Sequence, residues 1–197
     1  MRNRLLEILP GWVVIFLLCS IGAVAQVPYS VYLTNDVATT NTYSFDVWVR
    51  TNNSADVMNL ANLQLGIAVN AAIRPSGSTT TVAFTNSQFV STQVPTSVVY
   101  NATTNYVNIA ARANPGCGTG TNITNAGSPC VNPGIRFGTI TITNSVAWTA
   151  SSQANLTLNF TAASGRTACV LSAYNGAPAC ASTGATNVTA NGTWYSY

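Results

Sequence analysis

Between Asn41 and Asn70 the chain alternates apolar and polar residues in two runs, with a polar loop between them. In the first run Tyr43, Phe45, Val47 and Val49 share one face, and Ser44, Asp46, Trp48 and Arg50 share the other. In the second, Leu63, Leu65, Ile67 and Val69 point one way, and Gln64, Gly66, Ala68 and Asn70 the other. A period of two is that of a half-buried β-strand, because successive side chains leave the backbone on opposite sides. Each run therefore carries an apolar face that a second sheet must cover.

The pattern recurs along the chain. Further strands are predicted over residues 27–33, 79–85, 96–101, 106–112, 135–143, 155–161, 167–174 and 186–195. In 135–143, Ile135 and Phe137 fall on odd positions but Ile140 and Ile142 on even ones, and a change of phase at Gly138 predicts a β-bulge. In 155–161, Leu156, Leu158 and Phe160 are expected inward, with Asn155 and Asn159 outward. Asn175-Gly176 is a hairpin signal, and a four-residue loop over 173–176 would set Cys169 opposite Cys180. No 3.6-residue period of useful length follows Ala25. About nine or ten short strands separated by Gly, Pro and Asn turns predict a single all-β domain over 26–197, a β-sandwich or jelly roll. The irregular stretch is 114–134, rich in Gly, Pro and Asn, and a loop of that length is a candidate for function or for a covalent tether.

The first 25 residues follow a different rule. Arg2 and Arg4 precede an apolar run from Ile8 to Val24, and Ala23-Val24-Ala25 is a small-x-small processing site. This is the pattern of a cleaved signal peptide, and Pro10-Gly11 interrupts a run already short for a membrane span. The expected mature chain begins at Gln26, has no membrane span, and works outside the cell or on its surface.

Composition then narrows the chemistry. The whole chain has no His and no Lys, and beyond Ala25 its charges are Asp36, Asp46 and Asp56 against Arg50, Arg74, Arg112, Arg136 and Arg166. Five dispersed arginines make no basic patch for nucleic acid. Without His there is no Ser/His or Cys/His pair, and three isolated aspartates give no acid/base pair, so no catalytic residue is assigned and an enzyme is not expected. Asp36 and Asp56 lie in Asn-rich loops that could suggest calcium, but their ligand count is low; no metal site and no cofactor is expected. The loop glycines lack the Lys and the strand–loop–helix setting of a phosphate cradle.

Cys117, Cys130, Cys169 and Cys180 follow the leader, and an even number in an exported chain reads as disulfides. Three pairings are open; the local one, Cys117 with Cys130 and Cys169 with Cys180, is favoured because each pair brackets a loop. Seven Asn-x-Ser/Thr triplets occur, a number near that expected by chance in so Asn- and Thr-rich a chain. Among them Asn155 and Asn159 stand out as candidate glycosylation sites by their outward phase. The outer row Asp46, Trp48 and Arg50, with Trp148, is the candidate contact for a partner protein or glycan.

With these segments in view, the chain resembles the cohesin-like modules of exported surface proteins of Bacteroidota and related bacteria that use type IX secretion. The resemblance lies in the leader ending AVAQ, in YSFDVWVR, LANLQLGIAVN, NIAARANPG and IRFGTITITNSVAW, and in NLTLNF, and it covers most of 27–160. It implies a jelly-roll sandwich that binds partner domains or sits in surface assemblies. The chain departs from it by lacking a recognisable sorting domain and by its cysteine-bearing loops. The expected function is a non-enzymatic structural or adhesive protein, in one form a filament subunit using strand exchange. The alternative is a carbohydrate- or protein-binding module that uses exposed aromatics or the 114–134 loop. Partners would be further copies of the chain, or a surface protein or glycan.

Overall fold

The two runs between Asn41 and Asn70 become β2 (Thr42–Thr51) and β3 (Val57–Ala68), and they lie in different sheets. The structure, a computed structural model, describes residues 27–127, 133–149, 153–174 and 184–196. The other strands are β1 (Tyr29–Ala38), β4 (Thr80–Thr85), β5 (Val98–Asn101), β6 (Tyr106–Ile109), β7 (Asn122–Thr124), β8 (Ile135–Asn144), β9 (Thr157–Leu158), β10 (Val170–Tyr174), β11 (Ala185–Asn187) and β12 (Gly192–Tyr195). The first sheet has the order β12-β1-β2-β8-β4. The second runs β11-β10-β3-β6-β5, with β7 and β9 also paired to β3. Two sheets packed face to face make an all-β sandwich, with twelve strands among the described residues. Among these residues no helix is long and apolar enough to cross a membrane.

The core is the apolar phase of each strand. Tyr29, Val31, Phe45, Val47 and Val49 of the first sheet meet Leu60, Leu65, Ile67, Ile109 and Leu171 of the second, all at 0% exposure. Burying one such side chain contributes roughly 1.5–3 kcal/mol, so ten of them are what opposes the entropy of ordering the chain.

The phase change near Gly138 is a bulge. Val47 pairs with Gly138 and Trp48 with Arg136, which leaves Phe137 unmatched. The extra residue lets Phe137 join the inner face, where its ring meets those of Phe84 and Phe89, each at 5.1 Å between centroids. Gly138 is required beside it, since a Cβ there would stand 2.3 Å from the Phe84 ring. A second bulge, in β3, falls between the pairs Leu60–Ala173 and Asn62–Ser172. It shifts the apolar phase from Leu60 to Leu63, so both stay buried.

Four expectations are corrected. The predicted strand over 186–195 is two strands in different sheets: a 3₁₀ turn at Thr189–Asn191 carries the chain from β11 to β12, which pairs parallel with β1. Phe160 is not inward; it is 51% exposed and stands edge-on to Trp194. The β10–β11 connection is longer than four residues, because Tyr174 pairs with Ala185; Asn175 and Gly176 lie outside the described residues. The 114–134 stretch is not purely irregular, since it contains β7, and Ile123 at 0% exposure enters the core.

Beside Ile123, that stretch is held by side-chain amides. The buried Gln93 donates to the Leu60 and Ala61 carbonyls at 2.8 and 2.9 Å, and its carbonyl accepts from Thr121 N–H and Oγ1, both at 2.7 Å. Asn59 donates to the Gly120 carbonyl at 3.0 Å and accepts from Gly118 N–H at 3.1 Å.

The outer face of β3 is covered by the segment that leads into β10. Asn159 N–H donates to the Gly66 carbonyl, and Gln64 Nε2 to the Ala168 carbonyl. A Cβ on Gly66 would lie 1.6 Å from the Thr167 carbonyl oxygen, a backbone atom that cannot turn aside. Gly66→Ala is therefore expected to cost about 3 kcal/mol by overpacking, read as a lower midpoint in urea with unchanged slope. A variant as stable as the parent would refute this packing.

Candidate functional site

Asp46, Trp48 and Arg50 leave β2 on the face opposite the core, as their phase requires, but the row is not exposed. They are 8%, 3% and 8% accessible. The expectation of an open contact surface at these three residues is corrected, and the reason lies in their neighbours. β2 is the middle strand of the first sheet, flanked by β1 and β8. Register sets Tyr32 and Arg136 on either side of Trp48. The Arg136 guanidinium lies over the indole at 5.4 Å from the ring centroid, and reaches Asp46 Oδ2 at 3.7 Å. Asp46 also accepts from Thr139 Oγ1 at 2.6 Å and from Asn35 Nδ2 at 3.0 Å. Each neighbour packs on the next, so a row of large side chains covers itself.

The row continues toward the sheet edge. Tyr32 pairs with Tyr195 of β12, and their rings are stacked at 4.7 Å with 7° between planes. Tyr195, Tyr32, Trp48 and Arg136 thus form one line across four strands. Its outer end is open, with Tyr195 47% exposed. Sequence reasoning does not join Tyr32 to Tyr195, because the parallel pairing of β12 with β1 is a long-range fact with no local signal.

Two donors in this row are unmet. Trp48 Nε1 and Arg50 Nη1 are buried without a hydrogen-bond partner, as is Thr34 Oγ1 opposite Asp46. Arg50 is otherwise fixed: Nη2 donates to Asn125 Oδ1 at 2.6 Å, and Asn125 Nδ2 bonds the Thr51 carbonyl. An unmet buried donor costs about 1–3 kcal/mol, more if charged, so this row is where the fold gives up stability.

The remaining candidates are dispersed. Trp148 is partly buried against the core, and its backbone N–H donates to the Thr40 carbonyl. Asp36 lies not in a loop but on β1, at the bulge between Thr34 and Val37, and accepts from Tyr43 Oη of β2 at 3.2 Å; Asp56 accepts from Asn53 Nδ2 at 2.8 Å within its own turn. Among the described residues no three His, Cys, Asp or Glu side chains gather as a metal-binding group. Asn155 is exposed with φ +42°, whereas Asn159 spends its amide on the Thr161 and Thr167 carbonyls at 2.9 and 2.8 Å.

Cys169 overturns one expected staple. It is a free, buried thiol that lies over Gly66, with Sγ 3.3 Å from the Gly66 carbonyl and 3.5 Å from its N–H. Cys169 precedes β10 and its thiol is spent on the Gly66 backbone of β3. Cys117 is disulfide-bonded. Cys130 and Cys180 lie outside the described residues.

No family model, no curated protein and no solved structure matches this chain.

Two predictions follow from this geometry. Asp46→Ala removes the acceptor shared by Thr139 and Asn35 and leaves Arg136 without its carboxylate; a loss of about 2–3 kcal/mol is expected in urea unfolding, and a loss below about 0.5 kcal/mol would show the network to be ornamental. Burial pushes the Cys169 thiol up to about 11, against hydrogen bonds from Gly66 and Asn159 that pull the other way. The thiolate fraction at pH 8 is therefore below that of a free cysteine. Maleimide should spare Cys169 in the folded protein and label it in denaturant, with peptide mapping as the readout. Rapid labelling of that peptide under native conditions would contradict its burial.

Proposed function

We propose that the chain is an exported, non-enzymatic structural or adhesive protein of the cell surface or of an extracellular assembly. The observation that supports this reading is the fate of its three mature carboxylates. Asp36, Asp46 and Asp56 are each bonded to a neighbour within the fold, which leaves no paired acid and base in a chain without His. The leader-like segment of residues 1–25 supports export, and the resemblance to cohesin-like surface modules supports a role in assembly. One form of the reading is a filament subunit that exchanges strands. The four-residue β12, lying parallel on β1 at the edge of the first sheet, is the element best suited to that exchange.

A second reading, a carbohydrate- or protein-binding module, is favoured by the stacked Tyr32–Tyr195 pair, whose outer ring is half-exposed at the sheet edge. It is compatible with the first, since an adhesive protein binds something.

Fractionation of source cells, with antibody detection and N-terminal sequencing, tests the proposal. The chain is expected in the supernatant or surface fraction and starting at Gln26. Recovery in the cytosol alone, with residues 1–25 attached, would overturn it.

A further inference from the structure

We propose that the free edge of β12 pairs with the same edge of a second copy of this chain, antiparallel about a twofold axis at Trp194, so that the first sheets of two molecules become one. The inference rests on the assembly reading above and names its partner and its surface.

Among the described residues β12 ends the first sheet and pairs with β1 alone. A strand paired on one side leaves backbone N–H and C=O groups turned outward, ready for another strand. Such edges are ordinarily guarded by Lys, Pro, a bulge or a covering element. At the other edge of this sheet, β4 packs against β5. β12 has no such guard. Gly192, Thr193, Trp194 and Tyr195 follow β1 in unbroken register, and the chain holds no charged residue after Arg166. Thr, Trp and Tyr are residues that favour strands.

The side chains beside this edge point to a second copy rather than to a lone peptide. Register sets Trp194 opposite Val31 on the inner face, and Thr193 and Tyr195 opposite Ser30 and Tyr32 on the outer. Phe160 stands edge-on to Trp194 and is 51% exposed, while Tyr195, stacked on Tyr32, is 47% exposed. Exposed rings therefore flank the edge on both of its faces. A single added strand satisfies the backbone; a second sandwich also covers rings on both sides. Neither copy carries a charge on β12, so like charges do not oppose the approach. Residues directly opposite in an antiparallel pair share a face, so a twofold axis normal to the sheet must pass through a residue. Through Trp194 it pairs Thr193 with Tyr195 and brings the two indoles together. A contact of this symmetry closes as a dimer and does not propagate. A four-residue edge with these rings is smaller than a permanent interface, so association is expected at micromolar concentration.

Analytical ultracentrifugation of the exported chain, with hydrogen exchange at matched concentrations, is the test. A dimer is expected, half formed between about 1 and 100 μM, with the β12 amides exchanging more slowly as it forms. Thr193→Lys, at an exposed position, should raise the dissociation constant at least about tenfold. The urea midpoint of that variant as a monomer should match the parent's, which separates contact from misfolding. Tyr195→Glu should weaken the dimer as well. Mixing the two variants should restore a heterodimer, because Thr193 and Tyr195 face each other across the axis, and that recovery also shows both to be folded. A monomer up to about 1 mM, a dimer that ignores Thr193→Lys, open filaments in place of a dimer, or no recovery in the mixture would each overturn the pairing. An edge used by a foreign strand instead leaves the purified chain monomeric and gives the first of these results. A chain found monomeric at the cell surface loses only this inference, whereas a cytosolic chain loses the reading beneath it.

Discussion

Everything in this molecule depends on the two-sided burial of β2. Its inner row, Phe45, Val47 and Val49, is what the second sheet closes over, and its outer row, Asp46, Trp48 and Arg50, is enclosed as well. A strand buried on both faces usually reads as a continuous apolar run. Here the outer half is built from a carboxylate, an indole and a guanidinium, which need partners as an apolar row does not. Asp46 has them in Thr139, Asn35 and Arg136; Trp48 Nε1 and Arg50 Nη1 do not. The inner row drives folding, and the outer row departs from the rule that buried polar groups are paired. Each such departure needs its own physical account.

The inner row was legible because the pleat has a period of two and the apolar residues keep to it. The Phe137 bulge was legible for the same reason, as a break in that period. What local pattern could not reveal was the far side of each strand. Gly66 and Gln64 sit in the polar phase of β3, yet the Thr167–Cys169 segment lies over them, a contact made from a hundred residues away. Trp48 is in the polar phase of β2, yet Arg136 shields it through a register set by a bulge. Alternation tells which face an atom leaves by and is silent on what waits there.

The same limit explains the cysteines. Pairing Cys169 with Cys180 assumed a tight hairpin at Asn175-Gly176, since bracketing a turn is the only geometry a sequence offers. The β10–β11 register instead matches Tyr174 with Ala185, and Cys169 belongs to the cover of β3. A thiol that donates to one backbone carbonyl and fills space over a glycine behaves as a small core residue. Its fitness for that place is steric, and no spacing rule encodes it.

The low charge of this chain is a consequence of how it is fastened. Asparagine and glutamine amides each offer donors and an acceptor, so one side chain can bridge two backbone segments without an ion pair. Gln93 clamps the β3 bulge to Thr121, Asn59 holds the Gly118–Gly120 turn, and Asn159 ties the cover of β3. Among the described residues the four non-glycine positions with positive φ, Asn35, Asn86, Asn105 and Asn155, are also asparagines, the side chain that tolerates that backbone best. A fold fastened this way needs few charges, and so the few that remain stand out. Two of its seven arginines and one of its three aspartates converge on the outer face of β2, around an indole. In a protein that closes its turns and clamps with amides, that charge serves the outer row itself: Asp46 holds Thr139, Asn35 and Arg136, and Arg50 holds Asn125.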